Sequence, residues 1–178
     1  MNKVRSILSF SVLVGGLLAG GLFGAAPSTA TTTTGTKSCV SSQIAVSRGA
    51  AQGTAGASYY ALVFTNTGAT ECTIFGVPVI QPVIGPGHRP LGPQARNESM
   101  GEMPALHTLA HGASVSVAFG VVDTGNYTAS TCGARRARGV VVKMGAFVRP
   151  TYVSLPITVC TKRASTTTRL ISSGVVGN

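Results

Sequence analysis

Residues Tyr59 to Gly76 read YYALVFTNTGATECTIFG, and this run limits what the chain can fold into more than any other part of it. Tyr59, Tyr60, Leu62, Val63 and Phe64 are aromatic or β-branched residues plus a leucine. They lack the three-to-four spacing of an amphipathic helix and predict a strand. Asn66, Thr67 and Gly68 then supply turn chemistry, because asparagine tolerates a left-handed backbone and glycine adopts positive φ without steric cost. Cys72, Ile74 and Phe75 resume the β pattern until Gly76 and Pro78 interrupt it, and proline within a run belongs at an edge or a bulge. The expectation is a strand, a tight turn and a short return strand carrying a cysteine.

The same theme recurs downstream. Val115, Val117, Phe119 and Val121 alternate with Ser114, Ser116, Ala118 and Gly120, which is the period-two signature of a half-buried strand. Val153, Leu155, Ile157 and Val159 alternate in the same way with Ser154, Pro156, Thr158 and Cys160. Further runs at Gln43–Val46, Val77–Ile84, Val140–Met144 and Thr168–Ile171 bring the count to about eight strands separated by Gly and Pro. No segment carries convincing helical periodicity. Many short strands punctuated by turn signals predict an all-β, antiparallel sandwich whose two sheets each hide one face.

The first thirty residues bear on where the chain works. Lys3 and Arg5 precede an uncharged run from Ile7 to Ala26, and Ser28-Thr29-Ala30 offers the small residues that a signal peptidase reads. Residues 1–30 are therefore read as a signal peptide and 31–38 as a Thr-rich linker, leaving 39–178 as a single β-sandwich domain. The run is long enough to span a bilayer uncleaved. Its glycine density and its ending at Pro27 and a small-residue motif favour cleavage. Four cysteines, Cys39, Cys72, Cys132 and Cys160, follow. An even number in an exported chain, with no CxxC pair, reads as two disulfides rather than a zinc or redox site. Three connectivities are possible. The simplest, Cys39 with Cys72 and Cys132 with Cys160, closes loops of about 33 and 28 residues, each worth ~3.5 kcal/mol in a chain-entropy account.

The order of elements now carries a resemblance. A first cysteine, YYALVFTNTG, a second cysteine followed closely by Gly-Val-Pro, LAHGASVSVAF, a third cysteine and a fourth near the end resemble domain-of-unknown-function family 4232, over about Cys39 to Ser172. That resemblance implies an exported, immunoglobulin-like β-sandwich of actinobacteria with no assigned activity. His111 departs from the proline more usual at such a turn. In a bacterial protein, which the resemblance implies, the glycosylation patterns Asn97-Glu98-Ser99 and Asn126-Tyr127-Thr128 carry no weight.

Charge and loop composition supply the functional candidates. Without Lys3 and Arg5, twelve Lys and Arg stand against four acids, about +8. Arg135, Arg136 and Arg138 cluster just after Cys132 and are the polyanion-binding candidates, the alternative being a solvated loop that aids solubility. Outside a cell the polyanions are cell-wall polymers and anionic headgroups, and nucleic acid is the wrong partner. The connection from Gly85 to Ala105 is unusually long. It holds His88, Glu98, Met100, Glu102 and Met103, with His107 and His111 just beyond, and thioether plus imidazole suits copper. Gly101 and Pro104 break any helix that would align those ligands. Hydrolysis has little material: the GASVS stretch at 112–116 is not a GxSxG elbow, and carboxylates would have to come from Glu71, Glu98, Glu102 and Asp123. Asp123 is read as capping the turn before Gly125.

These observations predict a secreted cell-envelope protein, non-catalytic, acting as a binding or structural module on an envelope protein or anionic cell-wall polymer. No cofactor and no metal site are expected, and membrane contact only through residues 1–30 if uncleaved. The alternative is an extracellular copper carrier using the His/Met segment 88–111.

Overall fold

The computed structural model describes residues 35–145 and 147–174. The signal-peptide reading of residues 1–30, and residues 31–34 of the Thr-rich linker, lie outside them. In chain order the strands are β1 (Ile44–Thr54), β2 (Ala57–Asn66), β3 (Cys72–Ile74), β4 (Val79–Val83), β5 (Arg96–Asn97), β6 (His107–Leu109), β7 (Ser114–Val122), β8 (Ala134–Lys143), β9 (Thr151–Cys160), β10 (Thr166–Thr168) and β11 (Ser172–Ser173). A single 3-10 turn (Thr124–Asn126) and a one-turn helix, α1 (Ala129–Cys132), complete the described elements. The protein is thus all-β, as its alternating runs predict.

One sheet runs in the order β1-β2-β7-β10-β5 with β11 also on β7, a second runs β4-β8-β9, and β3 pairs with β6. Every ladder is antiparallel except β5 with β10. Leu62 and Phe64 of β2, Val117 and Phe119 of β7, Val140 and Val142 of β8, and Leu155 of β9 belong to one buried apolar cluster that both larger sheets line. Burial of such side chains contributes about 1.5–3 kcal/mol each before the entropy cost of ordering them. Two disulfides join Cys39 to Cys72 and Cys132 to Cys160. This is the neighbour pairing expected from the sequence.

The reversal at Asn66 differs from the expectation. β2 does not pair with β3: it lies between β1 and β7, while β3 joins β6 and, through a parallel bridge at Ser38, the incoming chain. The residues 66–72 therefore carry the chain from one sheet to another rather than folding a hairpin. Neither Asn66 nor Gly68 takes positive φ. Instead the buried Asn66 side chain donates to the carbonyls of Thr70 and Leu109, and its Oδ1 accepts the Gly68 N–H. Backbone bonds Asn66 N–H to Ala113 O and Gly112 N–H to Asn66 O lock the 110–113 turn onto the same corner. The NTG and HGAS stretches thereby meet, and His111 Nδ1 lies 2.9 Å from the Gly68 carbonyl.

β7 buries more than the one face its alternation predicts. On its second face Ser116 and Gly120 are buried, Gly120 under the side chains of Tyr59 and Thr167, while Ser114 and Ala118 are half-buried. A Cβ on Gly120 would collide with Thr167 Oγ1 and stand 3.0 Å from the Tyr59 ring, so glycine is what admits both neighbours. On β9, two residues, Leu155 and Pro156, oppose Arg138 alone, where the β8–β9 register shifts. Pro156 has no N–H to donate and sits at this bulge on an edge strand, where proline is tolerated.

The segment from Gly85 to Ala105 is not an open loop. β5 within it pairs with β10, the Glu98 N–H reaches Thr168 O, and Leu91 is buried with its N–H on Pro82 O.

Candidate functional site

Arg135, Arg136 and Arg138 stand on β8, not on a loop, and all three are exposed. The ladder separates them. Arg135 is opposite the buried Val159, while Arg136 is opposite the exposed Thr158, so the two project from opposite faces of the strand. Arg138 lies at the bulge, with its Cδ 3.9 Å from where a Cβ on Gly85 would stand. The sequence trio is therefore not one cluster.

A different grouping forms at the Cys132–Cys160 bridge. The N–H groups of Thr161 and Lys162 both reach Cys132 O, at 2.9 and 3.1 Å, and Thr161 Oγ1 donates to Gly133 O at 2.8 Å. Gly133 makes this contact possible: at φ 58° it is left-handed, and a Cβ there would stand 2.7 Å from Thr161 Oγ1 and 3.4 Å from the Lys162 side chain. The hook brings Lys162 and Arg163 beside the start of β8. Lys162 Nζ donates to Ser130 O at 3.1 Å, and the Arg163 guanidinium lies 4.1 Å from the Tyr127 ring centroid. Tyr127 and Arg135 line the same concavity of about 570 Å³, with Thr124, Gly133 and Thr161. Arg135 lines this opening, while Lys162 and Arg163, nearly thirty positions away in sequence, lie against two of its lining residues, Gly133 and Tyr127. Lys162 and Arg163 were not legible as partners of Arg135, because only the disulfide and the hook join them.

Carboxylates do not neutralise this surface. Asp123, which precedes Thr124 of the lining, accepts the Gly125 N–H at 2.8 Å, the cap expected from sequence. Among the described residues the one ion pair is Arg169 with Glu98, at 3.9 Å. Glu71 accepts from Thr36, and the Glu102 N–H turns back on Ser99 O.

The other candidates are dispersed. His88, the one non-glycine residue at positive φ among those described, stacks near Tyr152. His107 has Nε2 3.2 Å from Ile171 O and Nδ1 3.3 Å from Ser173 Oγ, so both its ring nitrogens are engaged within the fold. His111 faces Gly68, and Met100 and Met103 point into solvent. No group of three or more His, Cys, Asp or Glu gathers as a metal holder among the described residues. Ser114 shares a hydrogen bond with Thr65, and Ser116 is buried. The Asn97 side chain accepts from Ser99 N–H, and that of Asn126 donates to Gly56 O.

The family model described as domain of unknown function (DUF4232) matches residues 39–171. No curated protein and no solved structure matches the chain.

Proposed function

The chain belongs to the DUF4232 family, and from that premise we propose that it is a secreted, immunoglobulin-like module of the cell envelope that binds an anionic cell-wall polymer without catalysing a reaction on it. The observation that carries this reading is Arg135 on the lining of one opening, with Lys162 and Arg163 held against its lining residues Gly133 and Tyr127 and no carboxylate paired to any of the three among the described residues. Cations spaced around a concavity attract a polyanion more strongly than the same charges scattered over a convex surface, because the low-dielectric walls focus the field. Hydroxyls of Thr124 and Thr161 on the lining add hydrogen-bonding groups suited to phosphate and sugar oxygens. Two disulfides and the absence of a free cysteine among the described residues accord with an oxidising compartment.

The test is titration with poly(glycerol phosphate), with neutral dextran as the control polymer. At low salt, Arg135→Ala combined with Arg163→Ala should weaken binding at least about tenfold, since two charge-assisted contacts are lost. Arg138→Ala, which removes the same kind of charge outside the opening, should change it less than about twofold. Equal losses in all variants would mean that diffuse charge does the binding, and no binding by the unaltered protein would remove the reading.

A further inference from the structure

The Cys39–Cys72 end exposes a different chemistry. The Ser38–Thr73 parallel bridge and the β3–β6 ladder make a ribbon of three neighbouring segments. Side chains two positions apart share a face. Val40, Phe75 and Leu106 stand two residues from Ser38, Thr73 and Thr108, just past the last pairs, so the three follow one another at the same end of the ribbon. All three are exposed, Phe75 by 56% and Leu106 by 65%. Phe75 also borders a cavity of about 430 Å³ whose walls include Ile74, Val77, Met144 and Phe147. Val148, 84% exposed, follows Phe147 directly, and the exposed Val79 pairs with Lys143. Val148 and Arg149 line a second hollow with Ser41 and Ser42, the residues that follow Val40, so the exposed apolar side chains on this side are not isolated singles.

Lys37, Lys143 and Arg149 are exposed, stand within two residues of a wall of that cavity, and have no carboxylate partner among the described residues. We propose that this ribbon docks on an anionic lipid surface, with Val40, Phe75, Leu106 and Val148 entering the headgroup boundary and the three cations meeting lipid phosphates. Apolar insertion and attraction to acidic lipids act together in peripheral membrane binding. A second copy fits the patch poorly, since a two-fold contact would set the same cations against one another. A hydrophilic polymer has no use for the apolar row. The chain also enters the described fold through this ribbon, and the uncharged run Ile7–Ala26 precedes it in the sequence. Docking of the folded domain is thus distinct from any insertion of that run, and it does not depend on the polymer reading of the other disulfide.

The chain has no tryptophan, so a single one reports its own position. Phe75→Trp places it in the row, and Thr54→Trp places it at the far end of β1. Each full-length variant is mixed with vesicles of phosphatidylcholine containing phosphatidylglycerol, with and without brominated acyl chains. The expected result is a blue shift and bromine quenching for Phe75→Trp and neither for Thr54→Trp. Attachment through residues 1–30 alone would give no quenching that depends on Lys143 and Arg149, so charge reversal at those two separates it from docking. Adding Lys143→Glu and Arg149→Glu to Phe75→Trp should cut the quenched fraction at least about tenfold, given the several-fold preference each cation contributes near an acidic surface. The proposal is overturned by an unshifted Phe75→Trp, by equal shifts at both positions, or by equal shifts on purely neutral vesicles. A shift that grows with protein concentration before vesicles are added would assign the row to a second copy instead.

Discussion

Asn66 and Thr168 are both polar and both closed off from water, yet they should act on stability with opposite sign. Asn66 satisfies two carbonyls and one amide from a position with no solvent exposure. Asn66→Ala orphans all three groups, and a loss of roughly 2–4 kcal/mol is expected, read as a lower urea midpoint at unchanged slope. The Thr168 hydroxyl is buried with no hydrogen-bond partner, opposite Phe119 on β7. Thr168→Val keeps the β-branched shape and removes the stranded oxygen, so a gain of about 1 kcal/mol is expected. A lower midpoint for that variant would show that the hydroxyl has a partner in solution. Sequence alone gives Asn66 a role as a turn former, for its tolerance of the left-handed region. Its Oδ1 does accept the Gly68 N–H two residues on, but its amide also holds the carbonyl of Leu109, 43 positions away, and a partner at that separation leaves no mark on the local pattern. Asp123 was legible because the N–H it accepts is two residues on.

Among the elements, the Gly85–Ala105 connection is the clearest case of tertiary contacts giving order to a sequence that reads as loop. Buried Ser99 accepts the Leu170 N–H through Oγ at 2.8 Å, one residue beyond the backbone bond from Glu98 to Thr168. Ser99→Ala should raise hydrogen exchange at the Leu170 amide about tenfold, as loss of one buried bond of ~1–1.5 kcal/mol implies, with little change in global unfolding. Unchanged exchange would mean that the β5–β10 pairing alone holds the segment. In the unaltered protein, protease nicking should fall between Met100 and Ala105, where side chains are exposed, and spare Leu91. β7 and β9 were legible because they alternate against the shared core, and β2 by its run of aromatic and β-branched residues. β1 escapes that logic beyond Val46, since most of its later residues are exposed and only pairing with β2 makes them a strand. The first half of β8 escapes it for the same reason: Arg135, Arg136 and Arg138 carry no apolar period, and their strand exists through β9. β5, β6 and β11 are too short for any period to register.

For the molecule as a whole, charge is the dominant imbalance. Twelve cations and four acids lie within the described residues, and one ion pair joins them. That pair is exposed enough to contribute no more than about 1 kcal/mol, so favourable pairing does not offset the mutual repulsion of the cations. Salt should therefore act in two directions at once. Raising ionic strength from about 0.01 to 0.15 M shortens the screening length from ~30 to ~8 Å. Repulsion between separate cations weakens, and Tm should rise by a few degrees. Over the same range, retention on poly(glycerol phosphate) should fall, because binding to a polyanion depends on the attraction that salt screens. Calorimetry and a binding titration on one protein sample, at matched salt concentrations, check both signs together. A Tm that falls with salt would mean that attractive pairs outweigh repulsion in the folded state. Polymer retention insensitive to salt would show that hydroxyl contacts, rather than Arg135, Lys162 and Arg163, hold the ligand. Opposite responses from the same charges follow only if the cations remain unpaired in the free protein and acquire anionic partners on binding.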